Sequence, residues 1–137
     1  MANIYMLDTD TCSYAVKRNP ASVVQAFWNH KNDEICISSI TYAELMYGAM
    51  RTGSTKTPAV IRRFVTYVGI VNFDDTAAEE YARLRCYLET KGTPISAADL
   101  MIASCAKTKK AVLVTNNVKH FGKVPDLEIE NWIEYSN

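Results

Sequence analysis

In Ile4-Tyr-Met-Leu-Asp-Thr-Asp10-Thr11, four largely apolar residues lead directly into a polar, acidic turn. A short apolar run is typical of a buried β-strand, and the acidic residues after it are typical of the start of a helix. In parallel sheets, ligands bind beyond the carboxyl ends of the strands. The segment therefore predicts a first strand at residues 4–7, with Asp8 and Asp10 at a candidate binding site.

The rest of the chain continues this alternation of short apolar runs with stretches of helical periodicity. Further strands are predicted at residues 35–37, 69–73 and 111–114, with an edge strand at 128–130. The predicted helices lie on both sides of Pro20 and at residues 40–50, 58–68, 75–90 and 96–107. Short apolar strands separated by helices indicate a parallel sheet covered on both faces. We expect an α/β fold with a central parallel sheet of four to five strands.

Composition and length limit the class of protein. The chain has 137 residues, 48% of them hydrophobic, which predicts a single globular domain spanning residues 1–137. Lys and Arg total 15, as do Asp and Glu, so nucleic-acid binding would require a local basic patch. The four cysteines form no C-x-x-C pair, and His30 and His120 are the only histidines, which argues against a zinc site.

The chain also lacks the pattern of a signal peptide and any apolar run of about 18 residues that could span a membrane. These absences predict a soluble cytoplasmic protein with reduced thiols and no membrane partner.

Two further acids, Glu44 and Asp99, lie near the starts of predicted helices. Each has a purely structural alternative, because Thr41-x-x-Glu44 and Ser96-x-x-Asp99 both fit the capping-box pattern. The two acids of the first turn fit simple N-caps in the same way. However, Glu44 and Asp99 occur in otherwise apolar stretches, where an unpaired buried charge is costly. This context favours a shared functional role.

A parallel sheet brings the ends of its strands to one edge, so we expect Asp8, Glu44 and Asp99 to converge there. Carboxylates at close range raise one another's pKa unless a cation neutralises them. Magnesium and manganese prefer such oxygen ligands, and we therefore predict a Mg²⁺ or Mn²⁺ site. Gly48, four residues beyond Glu44, predicts close packing of this helix against a neighbour.

Polar residues also follow the fourth predicted strand, at Thr115-Asn-Asn117. Asparagine is a preferred turn residue, so an ordinary turn is one interpretation of this segment. Its position after a strand favours the alternative that it faces the same site.

These motifs together resemble those of the PIN-domain ribonucleases, and among them the VapC toxins of bacterial toxin–antitoxin pairs. The resemblance extends over nearly the whole chain and implies a three-layer α/β/α, PIN-like fold. It also implies a metal-dependent endoribonuclease. The motifs are Met6-Leu-Asp-Thr-Asp10, Ser38-Ser-Ile-Thr-Tyr-Ala-Glu44-Leu-x-x-Gly48, Pro94-Ile-x-x-x-Asp99-x-x-Ile-Ala103 and Val114-Thr-Asn-Asn117-x-x-x-Phe121.

Transferred to the matching positions, the resemblance implies a set of site residues. They are the catalytic residues Asp8, Glu44, Asp99 and Asn117, of which the first three would hold Mg²⁺ or Mn²⁺, with Asp10, Thr115 and Asn116 as auxiliary groups. The chain departs from the family pattern at two positions. Asp10 replaces a commoner Asn, and the neutral Asn117 stands where many relatives have a fourth acid, which weakens the case for a second metal ion.

The resemblance further implies partners. The expected substrate is structured RNA such as the anticodon stem-loop of initiator tRNA, and the expected regulator is a cognate VapB-type antitoxin. Relatives also form homodimers. Basic residues near the site would have to hold the RNA backbone, although a solvated surface position is the alternative for most of them. The candidates are Arg51, Lys56, Lys107, Lys109, Lys110, Lys119 and Lys123.

Two other functions fit part of the sequence. Asp8-Thr-Asp10-Thr11 matches the D-x-D-x-T opening of haloacid-dehalogenase-like phosphatases, in which the first Asp is a nucleophile and the second an acid/base. The order of later motifs argues against this alternative, because Asp74-Asp75 precedes Thr115. The other alternative is a catalytically silent PIN scaffold that binds RNA or protein, against which the retained acids argue.

Overall fold

Strands and helices alternate along residues 3–133, which are the residues described by the structure, a computed structural model. The strands are β1 (Ile4–Leu7), β2 (Glu34–Ser38), β3 (Ile70–Val71), β4 (Val112–Val114) and β5 (Ile129–Glu130). The helices are α1 (Thr9–Lys17), α2 (Ala21–Asn29), α3 (Ser39–Met50), α4 (Lys56–Val68), α5 (Asp75–Thr90), α6 (Ala97–Lys109) and α7 (Val118–Phe121). Every predicted strand is present, and the short helix α7 is an addition that periodicity did not predict.

The five strands form one sheet in the order β3-β2-β1-β4-β5, and every neighbouring pair is parallel. The chain therefore builds outward from β1 to β3 and then returns to add β4 on the other side of β1. Leu7 at the end of β1 lies opposite Ile37 of β2 and Val114 of β4. The order in which strands are added to the sheet therefore reverses between β1 and β4, and open α/β sheets bind ligands at such a position. The predicted parallel sheet is confirmed.

Helices cover both faces of the sheet because successive strand residues point to opposite faces. Met6 and Leu113 pack with α5 and α6 on one face, whereas Leu7 and Val114 pack with α1, α2 and α4 on the other. Helix α6 is buried on most sides, as its composition predicted. This arrangement confirms the predicted three-layer α/β/α fold. Within residues 3–133, no helix has the length and apolar character needed to cross a membrane.

Helix α3 contradicts one prediction from the sequence. A Cβ atom added at Gly48 would meet nothing within 4 Å, so this glycine makes no close approach to a neighbouring element. The contacts of α3 come instead from Met46 and Ala49, which pack on Ile61 of α4. Successive helical residues are rotated by about 100°, which turns position 48 away from the stripe that includes 46 and 49.

We therefore expect Gly48→Ala to stabilise the protein by about 0.4–1 kcal/mol, because alanine restricts the unfolded chain and nothing obstructs its methyl group. Urea denaturation provides the measurement. Gly122→Ala is the matched comparison, because a Cβ there would lie 2.7 Å from the backbone oxygen of Val118 and should destabilise the fold. A destabilising effect of Gly48→Ala would contradict the open position of Gly48.

Candidate active site

Asp8 directly follows β1, at the position where the order of strands reverses, which we call the sheet reversal. Its backbone N–H donates to the carbonyl oxygen of Val114 at 3.0 Å, which extends the pairing of β1 with β4 by one residue. Its carboxylate accepts the backbone N–H of Thr11 at 2.9 Å and so caps helix α1. Asp8 is only 7% exposed. The capping alternative is therefore confirmed for this residue, and it fixes the carboxylate at the edge of the sheet.

Burial raises the pKa of the Asp8 carboxyl above its ordinary value, because the charged form loses contact with water. Hydrogen bonds from the Thr115 hydroxyl and from Thr11 oppose this rise, and the nearby charge of Asp10 adds to it. The ionised form of Asp8 is therefore costly in the isolated chain, and a bound cation would offset that cost. Asp10 itself is exposed in the first turn of α1.

Glu44 is joined to the first turn of α1 through Thr9. The Thr9 hydroxyl donates to Oε1 of Glu44 at 2.5 Å, which links α3 to the residue that follows Asp8. Glu44 is exposed, so the expectation that it lies in apolar surroundings is wrong. Tyr47 and Met50 of α3 are exposed as well. The apolar composition of α3 therefore did not show which of its faces is buried.

Two buried hydroxyl groups lie behind Thr9. The hydroxyl oxygens of Thr9 and Thr41 are 3.4 Å apart, and those of Thr41 and Ser38 are 3.3 Å apart. The backbone N–H of Thr41 donates to Ser38 Oγ at 3.0 Å, and Ser38 is the N-cap of α3. Thr41 therefore lies inside the helix, and the capping-box interpretation of Thr41 and Glu44 is wrong.

Asp99 lies in the first turn of α6, where Ser96 is the N-cap. The Asp99 backbone N–H donates to Ser96 Oγ at 3.3 Å, as the capping pattern predicted. The cap of α6 is thus the Ser96 side chain, whereas the Asp99 carboxylate approaches α7. There, His120 Nε2 lies 3.1 Å from Asp99 Oδ2. The Asp99 side chain is 35% exposed and is thus accessible to a ligand.

The turn after β4 contains the remaining predicted site residues. Thr115 is fully buried, and its hydroxyl oxygen accepts the backbone N–H of Asn117 at 2.9 Å. Because Thr115 also hydrogen-bonds Asp8, this turn joins the site at the sheet reversal. Asn116 Oδ1 accepts the side-chain amide of Asn131 at 3.2 Å, whereas Asn117 is exposed. Thr115 and Asn116 thus support the turn, and Asn117 is accessible to a ligand.

The donor atoms at this edge are carboxylate, amide and hydroxyl oxygens, which match the preference of Mg²⁺ and Mn²⁺. Among residues 3–133, no three Asp, Glu, His or Cys side chains lie close enough together to hold an ion. Magnesium commonly uses one or two protein carboxylates and completes its coordination with water and substrate phosphate. The residues therefore fit such an ion by chemistry, and the three-carboxylate ligand set stays a prediction.

Comparison with known proteins identifies the family. The PIN-domain family model matches residues 5–127. The tRNA(fMet)-specific endonuclease VapC of Salmonella typhimurium is 37% identical over 129 residues, which cover 93% of this chain and 97% of that protein. Ribonuclease VapC2 of Rickettsia felis is 40% identical over 135 residues, covering 94% and 98% of the two chains.

A solved structure agrees with these matches. The crystal structure of VapBC2 from Rickettsia felis, bound to a DNA fragment from their promoter, has a TM-score of 0.86 and 39% identity. The match covers 95% of this chain and 99% of that chain. The chain belongs to the PIN-domain family, in its VapC branch.

Membership of the VapC branch decides against the haloacid-dehalogenase-like alternative, in which Asp8 and Asp10 would be the nucleophile and the acid/base.

Sequence reasoning missed three side chains of this site. His120, Thr9 and Thr41 contact predicted acids or one another, yet the histidines were considered only as zinc ligands and Thr41 only as a cap. The position of Thr9 between two acids was the signal that could have identified it.

Replacing Asp8 by Asn should stabilise the metal-free PIN domain at pH 7 by about 0.5–2 kcal/mol, because Asn also caps helices but carries no buried charge. The raised pKa means that the folded protein takes up a proton before the unfolded chain does as pH falls. The gain in the free energy of unfolding of Asp8→Asn over wild type should therefore become smaller at acidic pH. Urea denaturation in EDTA between pH 4 and about pH 8 tests this expectation. A variant less stable than wild type at pH 7 would contradict it.

Proposed function

We propose that this PIN domain is an RNA-cleaving hydrolase that cuts phosphodiester bonds within structured RNA and requires Mg²⁺ or Mn²⁺. The observation that carries the proposal is the buried Asp8 at the sheet reversal, with Thr9 connecting it to Glu44 and Thr115 connecting it to the turn after β4. The similarity to a tRNA(fMet)-specific endonuclease supports initiator tRNA, cut in its anticodon stem-loop, as the substrate.

The side chains divide the reaction among them. Asp8 and Asp99 would hold the metal ion, and Glu44 would be a further ligand, directly or through water. When bound, such an ion polarises a phosphate and lowers the pKa of water. Glu44 orients the attacking water and accepts its proton on a carboxylate oxygen as the new oxygen–phosphorus bond forms and the bond to the leaving oxygen breaks. Asn117 donates an amide N–H to a phosphate oxygen without repelling it, since the amide is neutral.

We also propose that this chain binds protein partners and acts in the cytoplasm. The similarity to solved VapBC complexes supports a VapB-type antitoxin that holds the chain inactive. We also propose a homodimer. Several large apolar side chains are exposed on helices α2 to α4, and we expect the protein partners to cover them. These side chains are Trp28, Tyr47, Met50, Val60 and Tyr67. A tRNA substrate places the activity in the cytoplasm.

Some of the basic residues predicted to bind RNA are poorly placed. Lys107 is committed to the fold, because its Nζ donates to the carbonyl oxygen of Pro125 at 2.9 Å and lies 3.4 Å from Glu80. It lies with Lys109 and Lys110 at the end of α6 opposite Asp99, about 12–16 Å along the helix axis. Lys119 is exposed on α7, next to His120, and is the better candidate for a phosphate contact.

Purified PIN domain without antitoxin should cleave a tRNA pool in Mg²⁺ or Mn²⁺, and EDTA should stop the reaction. Asp99→Asn removes the charge of a metal ligand while preserving shape and should lower kcat/KM at least about 100-fold. Sequencing of the cleaved ends would locate the cut.

Equal cleavage by wild type and Asp99→Asn would refute the metal-site assignment. RNA that is bound but left whole, at every metal concentration, would instead establish the silent-scaffold alternative. Arg85→Gln, on the exposed side of α5, serves as a matched surface control.

A separate expectation concerns the contact of Lys119 with the RNA backbone. Lys119→Ala should weaken binding of different tRNAs uniformly and reduce the slope of log affinity against log salt by about 1. Lys110→Ala, at the far end of α6, is the charge-matched control and should leave the slope unchanged. Fluorescence anisotropy of labelled tRNA in the Asp99→Asn background measures both. Equal effects of the two variants would show that Lys119 makes no special contact.

A further inference from the structure

Glu44 combines a proposed catalytic role with an exposed position on α3. A glutamate on an exposed helix surface samples many rotamers, and fixing one of them costs side-chain entropy. Among residues 3–133, the hydrogen bond found for the Glu44 carboxylate is the one that it accepts from the Thr9 hydroxyl. The orientation of the Glu44 side chain therefore depends on how firmly Thr9 is itself held.

Thr9 is held by the buried hydroxyls behind it, and the direction of these hydrogen bonds can be deduced. An ionised carboxylate only accepts, so the single hydroxyl proton of Thr9 is used on Glu44. The contact between Thr9 and Thr41 then requires the Thr41 hydroxyl to donate. Ser38 in turn donates to Thr41, while Ser38 Oγ accepts the Thr41 backbone N–H. The chain of donors runs in one direction, from the N-cap of α3 to the carboxylate.

The inner end of this chain is rigid. Ser38 and Thr41 are fully buried, and Ser38 is fixed both by strand β2 and by the start of α3. The two hydroxyl–hydroxyl contacts, at 3.3 and 3.4 Å, are long for O–H···O bonds and are therefore weak individually. Threonine is also stiff at χ1, because it is branched at Cβ. Together these restraints leave Thr9 one favourable direction in which to donate.

We propose that Thr9 is a positioning residue, which selects the rotamer of Glu44 that faces the sheet edge beside Asp8. Thr9 contacts neither the substrate nor the reacting atoms in this assignment and acts only through Glu44. The inference deepens the proposed function and rests on it for its kinetic consequence. Its structural consequence, the restriction of Glu44, is independent of metal and RNA.

The competing explanation is that Thr9 merely helps to pack α1 against α3. Thr9→Val removes the hydroxyl but keeps the shape and the branching at Cβ, whereas Thr9→Ser keeps the hydroxyl and loses a methyl group. A packing role predicts that the serine variant is the more damaged of the two. A positioning role predicts that only the valine variant is affected.

The first experiment uses the metal-free chain in EDTA, with ¹³C-labelled glutamate and NMR measurement of side-chain couplings. Glu44 should populate one dominant rotamer in wild type and in Thr9→Ser, and average over several in Thr9→Val. Thr66→Val is the matched control, because Thr66 on α4 bonds only its own helix backbone at the Arg63 carbonyl. Unchanged Glu44 couplings in Thr9→Val would overturn the proposal.

The second experiment measures RNA cleavage. Thr9→Val should lower kcat by about 10- to 100-fold with KM nearly unchanged, since a charge-assisted hydrogen bond is lost without loss of substrate contacts. Thr9→Ser should stay within about threefold of wild type, and Thr9→Val should add less than about twofold to Glu44→Gln, because both act on one group. Equal losses in the serine and valine variants would overturn the proposal.

The two experiments separate failure of this inference from failure of the proposed function. If wild type cuts no RNA while Glu44 loses its dominant rotamer in Thr9→Val alone, the positioning role stands and the ribonuclease assignment fails. If wild type cuts RNA and Thr9→Val does so equally well with unchanged couplings, the ribonuclease assignment stands and the positioning role fails.

Discussion

The site depends on the parallel pairing of β1 with β2 on one side and β4 on the other. Leu7 lies opposite both Ile37 and Val114, so the three strands end at the same level of the sheet. Asp8 continues this register, because its N–H still donates to Val114 while its side chain already caps α1. The carboxylate therefore has the rigidity of the sheet rather than that of a loop. Any change that shifts β1 against β4 moves the centre of the site.

The three predicted site acids differ in how deeply they are buried. Asp8 is almost inaccessible, the Asp99 side chain is 35% exposed, and Glu44 faces solvent. A buried carboxylate keeps its position at an electrostatic cost, whereas an exposed carboxylate is easily ionised but mobile. The two outer acids each have a neighbouring side chain that restricts them, Thr9 for Glu44 and His120 for Asp99. This division suits the proposed function, in which a cation would bind at a fixed carboxylate and a polyanionic substrate would reach the exposed ones.

Most of the fold was predictable because its signals are local. Apolar runs indicated the first four strands, an edge strand was predicted at residues 128–130, and the predicted helix at residues 75–90 coincides with α5. Helix α7 was not predicted because it has four residues and no periodicity, and it is held in place by Phe121, which is buried in the core on that face of the sheet. The prediction for Gly48 failed for a related reason. Composition shows that a helix is apolar but not which of its faces meets a neighbour, and position 48 lies beside the packed stripe.

The sequence by itself determined the α/β class, the parallel sheet and most of the order of elements, and it indicated Asp8, Glu44 and Asp99 as candidate site residues. These follow from hydrophobic periodicity and from the residues that begin helices, which act over a few neighbouring positions. Only the tertiary structure decided that β4 pairs with β1, that Thr9 bonds Glu44 35 residues away, and that His120 approaches Asp99. The physical reason is that strand order and side-chain partners depend on packing and hydrogen bonds between distant segments, which leave no period in the sequence.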